Sequence, residues 1–137
     1  MSNQSNSELE ELAVQSLERE NPSEAVKYFR VCIEQSDSFS ERSYFLRWIA
    51  RTHEAEGRLE EARSTLEIAR TIDPTPWTEM AIGHLASRRG DSNGVRKCLE
   101  AVRLRHRDIL DSNSRASNAL RQELNELEKL LATMEKN

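Results

Sequence analysis

Apolar and small residues recur along the chain at fixed steps from three points, Glu20, Gly57 and Gly90. Five, nine and twelve residues after Gly57 stand Ala62, Leu66 and Ala69. The same steps reach Val95, Leu99 and Val102 from Gly90, and Ala25, Phe29 and Cys32 from Glu20. Eight and seven residues before each point lie Leu12-Ala13, Ile49-Ala50 and Ile82-Gly83. Steps of three and four with polar residues between them predict amphipathic helices. The origins lie 37 and 33 residues apart, which marks an internal repeat. Each repeat reads as two helices joined by a short turn, with a small residue beside a bulky one so that a partner helix can interlock.

The turns carry their own signals. Asn21-Pro22-Ser23-Glu24 supplies an N-cap side chain, a proline at the first helical position and a glutamate at the third, which together satisfy amide groups orphaned at a helix start. Gly57 and Gly90 fall at helix ends, where a left-handed residue closes the turn most easily. Glu20 holds that place in the first repeat, which predicts a looser or differently shaped turn there. Thr75-Pro76 opens the third repeat, with Thr75 as cap.

A last helix is predicted over about residues 112–135, after the turn Asp111-Ser112-Asn113-Ser114. Leu120, Leu124, Leu127, Leu131 and Met134 follow one another by four, three, four and three, giving one apolar stripe. Two readings stand open. The stripe covers the open edge of the last repeat, as stacked arrays require, or it forms a short coiled-coil seam in a homodimer.

The spacing resembles the tetratricopeptide repeat family, a helix-turn-helix motif of about 34 residues. Residues 43 to 74 match it best, with the small residue Ala50, the turn glycine Gly57, then Ala62, Ala69 and the closing Pro74. The outer repeats depart from it, with Glu20 for the glycine, Asp37 and Arg107 for the terminal proline, and Val95 and Val102 for the alanines. The resemblance covers about residues 6 to 107. It implies an all-α fold, a right-handed α-α superhelix of three helix pairs (about 6–39, 43–75 and 76–108) in a single domain spanning 1–137, closed by the C-terminal helix. Bacterial type III secretion chaperones are similar in size and repeat number.

Such stacks bind an extended peptide or a partner helix along the wall made by the first helix of each pair. Carried over position by position, the resemblance implies a groove of Glu10, Val14 and Leu17 in the first repeat, Tyr44, Arg47, Trp48 and Arg51 in the second, and Trp77, Met80, His84 and Arg88 in the third. The residue types suit the task, because Trp, Tyr and Arg most often carry interface energy. Tyr44, Arg47 and Arg51 share a helix face, as do Trp77, Met80 and His84. The competing reading packs Trp48 and Trp77 between neighbouring helices. One subset of the family grips a C-terminal carboxylate through lysines and asparagines in these slots, whereas Glu10 and Val14 stand here.

Composition agrees with helices. Of 137 residues, 36% are apolar, 32% charged and 5% aromatic, with only 4 Gly and 3 Pro, which argues against a turn-punctuated β sandwich. A chain of this size buries a core without staples. Acids number 24 against 20 bases, too balanced for a dedicated nucleic-acid or membrane-surface protein. The charge is uneven, since residues 1–40 hold 8 acids and 3 bases and residues 88–107 hold 7 bases and 2 acids. A solvated convex face, a basic surface for phosphates or an acidic partner, and head-to-tail self-association all fit that asymmetry. The start of the chain shows no basic and apolar secretory pattern, and no stretch approaches a membrane span. Cys32 and Cys98 sit at helix-face apolar positions, which predicts buried free thiols and a reducing cytoplasm.

No catalytic or metal-ligating arrangement is present in the sequence. His53, His84 and His106 fall on separate predicted helices, and no motif of the HExxH, GxSxG or phosphate-loop kind occurs. His53, four residues after Ile49, reads as a partly buried, hydrogen-bonded histidine, and Glu60-Glu61 as solvated acids. The expected function is a non-catalytic adaptor that binds another protein and uses no cofactor. Self-assembly through the last helix or the oppositely charged ends is the alternative.

Overall fold

The computed structural model describes residues 4–136. Among them the chain forms eight α-helices and no strand. These are α1 (Asn6–Glu18), α2 (Pro22–Gln35), α3 (Phe39–Ala55), α4 (Leu59–Ile72), α5 (Pro76–Arg88), α6 (Ser92–Arg105), α7 (Arg107–Asp111) and α8 (Arg115–Glu135). The chain divides into two compact units, Met1–Asp73 and Pro74–Asn137.

In the first unit α1 packs on α2, α2 on α3 and α3 on α4. The core joins Leu9 and Ala13 of α1, Ala25, Phe29 and Cys32 of α2, and Phe45 and Ile49 of α3. Ala50, Ala62, Leu66 and Ala69 are buried as well, so the positions five, nine and twelve residues after Glu20 and Gly57 point inward in both pairs, while Leu12 is half-buried. A polar corner locks the start of α1 to the end of α2. The Asn6 amide donates to the Cys32 carbonyl at 3.0 Å and to the Glu41 carboxylate, while the Gln35 amide donates to Asn6 Oδ1 at 2.9 Å. Ser36, buried, donates to the Cys32 carbonyl at 2.6 Å. These bonds occupy a carbonyl that a helix end leaves without an intrahelical partner. Helix α3 begins at Phe39, a turn before the expected 43, because Ser38 caps it by accepting from the Glu41 amide at 3.1 Å.

The second unit is built around the α5–α6 pair, with α8 laid across both and α7 bridging to it. Leu120, Leu124 and Leu127 are buried against Met80, Val95, Cys98, Leu99 and Val102, and Leu131 and Met134 pack on the same core. The leucine stripe therefore covers the pair. Arg96 meets Glu135 at 2.8 Å and Arg103 meets Glu128, which sets α8 antiparallel to α6. Gly83 is required by close approach, since a Cβ there would lie 2.5 Å from Cys98 Sγ and 2.8 Å from Leu127 Cδ2. The short α7 has no counterpart in the sequence reading. Its Leu110 carbonyl is held from α8 by the Ser117 hydroxyl at 2.9 Å and by Arg121 Nε at 3.1 Å.

The turns within the three pairs are alike. Gly57 and Gly90 take left-handed conformations with φ of 79° and 73°, and Glu20 does the same at 59°. In each, the following amide bonds five residues back: Asn21 to the Ser16 carbonyl at 2.8 Å, Arg58 to His53 at 2.9 Å and Asp91 to Ala86 at 2.9 Å. The left-handed residues themselves donate to Leu17, Glu54 and Ser87, completing the Schellman arrangement. The expectation of a looser turn at Glu20 is thus corrected. Glu20 adopts the glycine geometry because the doubly bonded turn outweighs the steric cost of its Cβ. The next position differs between pairs. Asn21 and Asp91 cap α2 and α6 with their side chains, whereas Arg58 makes no such bond to α4.

Two substitutions follow from comparing the pairs. Glu20→Gly removes a left-handed side chain and should raise stability by about 1 kcal/mol. Arg58→Asn supplies the missing cap and should add about 1 kcal/mol, because the exposed Arg58–Glu61 pair at 3.7 Å that it removes contributes little. Thermal or urea melts of each variant check this, and a lower midpoint for Glu20→Gly would contradict the left-handed turn.

Candidate functional site

Burying Ser43, Ile49, Ala50 and Thr52 turns the opposite side of α3 outward. That side carries Tyr44, Arg47, Trp48 and Arg51. Trp48 is half-buried and stacks on the buried Phe29 ring of α2, with centroids 5.3 Å apart and planes 14° from parallel. The Arg51 guanidinium lies 5.4 Å from the Trp48 centroid, and that of Arg47 lies 5.9 Å from the Tyr44 centroid. Such placements favour the cation electrostatically and lay the guanidinium against an apolar surface. Arg47 also donates to the Ser43 hydroxyl at 3.4 Å.

Glu10 of α1 reaches this side of α3. Burial raises the Tyr44 hydroxyl above its ordinary value, and the nearby Glu10 carboxylate raises it further, while Trp48 and Arg47 oppose the shift. Burial lowers Arg47 from its ordinary value, with Asp73 and then Tyr44 acting the other way. An arginine so shifted keeps its charge. Glu10, Tyr44, Arg47, Trp48 and Arg51 thus come together on the outside of the first unit. Val14 and Leu17 are half-buried on α1, Leu17 against the core.

The residues expected on α5 fare differently. Met80 is only 1% exposed and belongs to the core of the second unit. Its place on a binding surface is corrected, because α6 and α8 enclose the side of α5 that carries it. Trp77 is half-buried and packs on that same core, His84 is half-buried, and Arg88 is exposed. The two tryptophans therefore follow the packed reading in part, each resting one side on a core.

Sequence reasoning missed two supports. Phe29 was legible only as a core position, yet it fixes Trp48. Phe39, 63% exposed, carries Arg42 at 5.7 Å from its ring, repeating the three-residue aromatic–arginine step of Tyr44–Arg47 and Trp48–Arg51. That step was present in the sequence as a signal.

Three of the seven bases between 88 and 107 are engaged with acids. Arg96, Arg103 and Arg107 pair with Glu135, Glu128 and Asp111. The three histidines stay apart on α3, on α5 and at the α6–α7 joint. His53 is half-buried as expected, but its Nδ1 makes no hydrogen bond and lies 3.9 Å from the Glu61 carboxylate. Burial lowers His106 from its ordinary value, against the pull of Glu79. Among the described residues no group of three or more His, Cys, Asp or Glu is placed to hold a metal, and no helix is long and apolar enough to cross a membrane. Comparison with family models, with curated proteins and with solved structures returned no match to this chain.

Cys32 and Cys98 are free and buried. Burial first, and then nearby carboxylates, push Cys32 up to about 11 and Cys98 up to about 12 from an ordinary 9.0. The Cys98 thiol also donates to the Glu79 carbonyl at 2.8 Å. Both should resist alkylation at pH 8 in the folded chain and react once urea unfolds it. A thiol raised on folding stabilises below its unfolded value and loses that contribution as pH rises toward the folded one, so stability should fall between pH 9 and the range of about 11 to 12. Timed labelling with iodoacetamide and melts across that range check both statements.

Proposed function

We propose that the chain is a non-catalytic protein-binding adaptor built from three helix pairs of tetratricopeptide type, with α8 covering the last pair, and that it engages a peptide segment or helix of a partner. The observation that carries this reading is the outward side of α3, where Tyr44 stands exposed and Arg51 lies exposed over a Trp48 ring braced by Phe29. Rigid aromatic anchors beside arginine are what interface hot spots are made of. A face supported from the core loses little side-chain entropy when it binds. The buried, unpaired thiols favour a reducing compartment such as the cytoplasm.

The test compares capture from lysate by the wild-type chain, by Tyr44→Glu with Arg51→Glu, and by a control Lys97→Glu on exposed α6. A partner should be lost with the α3 variant and kept with the control, at unchanged melting temperature. A partner kept by the α3 variant, or no partner at all, overturns the proposal.

A further inference from the structure

We infer that the outward side of α3 reads an aspartate or glutamate side chain within an apolar segment of its protein partner, and that Arg51 is the reader. This rests on the α3 face being the docking surface proposed above and adds the chemistry of what docks.

The stack sets the geometry. Phe29 is fully buried and holds Trp48, and Trp48 carries the Arg51 guanidinium on its ring. A guanidinium held over a ring leaves its N–H donors unspent, and their fork matches a carboxylate with two parallel hydrogen bonds. Several other arginines of the unit are already engaged. Arg63 pairs with Glu60 and Glu67, Arg58 with Glu61, and Arg42 donates to the Ser36 carbonyl at 3.1 Å. Arg51, exposed, makes no hydrogen bond or ion pair among the described residues. Two turns away on the same side of α3 the Tyr44 ring, 39% exposed, offers an apolar contact.

Charge selects the class of partner. Residues 1–73 carry 15 acids against 9 bases, so the unit as a whole repels a polyanion. An anionic lipid surface or a nucleic acid would bring many charges against this acidic background. A single carboxylate flanked by apolar side chains meets the arginine locally and satisfies the ring beside it. The complementary occupant is therefore a protein segment with one acid set among leucine or aromatic residues.

The experiment selects a displayed library of random short peptides on the full chain and sorts the binders by their dependence on Tyr44, using Tyr44→Ala that retains the wild-type helical melt. The Tyr44-dependent peptides should carry Asp or Glu beside an aromatic residue or leucine. Converting that acid to its amide should weaken binding to the wild type about tenfold, yet leave binding to Arg51→Gln unchanged. Arg51→Lys should restore only part of the affinity, and raising salt from about 0.05 M to about 0.5 M should weaken only the acid-bearing peptides. Tyr44-dependent peptides without an acid, or an amide effect equal on wild type and Arg51→Gln, overturn the carboxylate reading and leave the docking face standing. A binder pool with no member dependent on Tyr44 or Arg51 overturns both. An RNA oligonucleotide that displaces the peptides from the wild type but not from Arg51→Gln overturns the choice of partner.

Discussion

Close approach of paired helices at small residues is the constraint from which the other features follow. Gly83 shows its severity, because even a methyl group there would collide with Cys98 and Leu127. Ala13 and Ala50 hold the matching positions in the other pairs and are buried. Once α3 must present Ile49 and Ala50 inward, its helical period leaves Tyr44, Arg47 and Arg51 nowhere to go but outward. The candidate site is thus a by-product of the seam on the opposite side of the same helix. Phe29 ties the two together, since it is both a core residue and the platform for Trp48.

The turns are the second fixed element. A doubly bonded left-handed closure satisfies helix-end carbonyls whether or not glycine is available, and Glu20 accepts the strain to keep it. Equal turn geometry in all three pairs explains why the apolar steps counted forward from Glu20, Gly57 and Gly90 land on buried residues each time. That part of the fold was legible in the sequence because both signals, the apolar step and the turn, are local. The early start of α3 was legible too, in Ser38 followed by Glu41, although the repeat spacing by itself draws the boundary at 43. Helix α7 was not legible. Five residues cannot sustain a helix by themselves, and this one is held by Ser117 and Arg121 of α8, which no local pattern discloses.

The site was legible in its residue types and misread in part of its extent. Spacing places Tyr44, Arg47 and Arg51 on one side of α3, and the structure keeps them there. The same spacing places Met80 with Trp77 and His84 on α5, but spacing reports a shared face and not whether that face is covered. Helix α5 buries seven of its 13 residues and α3 only five of 17, so more of the circumference of α5 is core. Met80 belongs to the covered portion. The supporting role of Phe29 needed a tertiary contact between α2 and α3, which helix periodicity alone does not reveal.

Pairing explains why the basic stretch of α6 is a weaker candidate surface than the count of its charges suggests. Arg96 and Arg103 stand seven residues apart, and Glu135 and Glu128 stand seven apart on the antiparallel α8, so the two rows meet in register. Each such pair is half-exposed and contributes little stability, yet it orients α8 over the leucine seam and quiets the local field. Arg51 of α3 is held instead by an aromatic ring, which fixes a guanidinium without neutralising it. Where an arginine is held by an acid its charge is spent within the fold. Where it is held by a ring the charge stays available, and among the described residues the exposed case is Arg51.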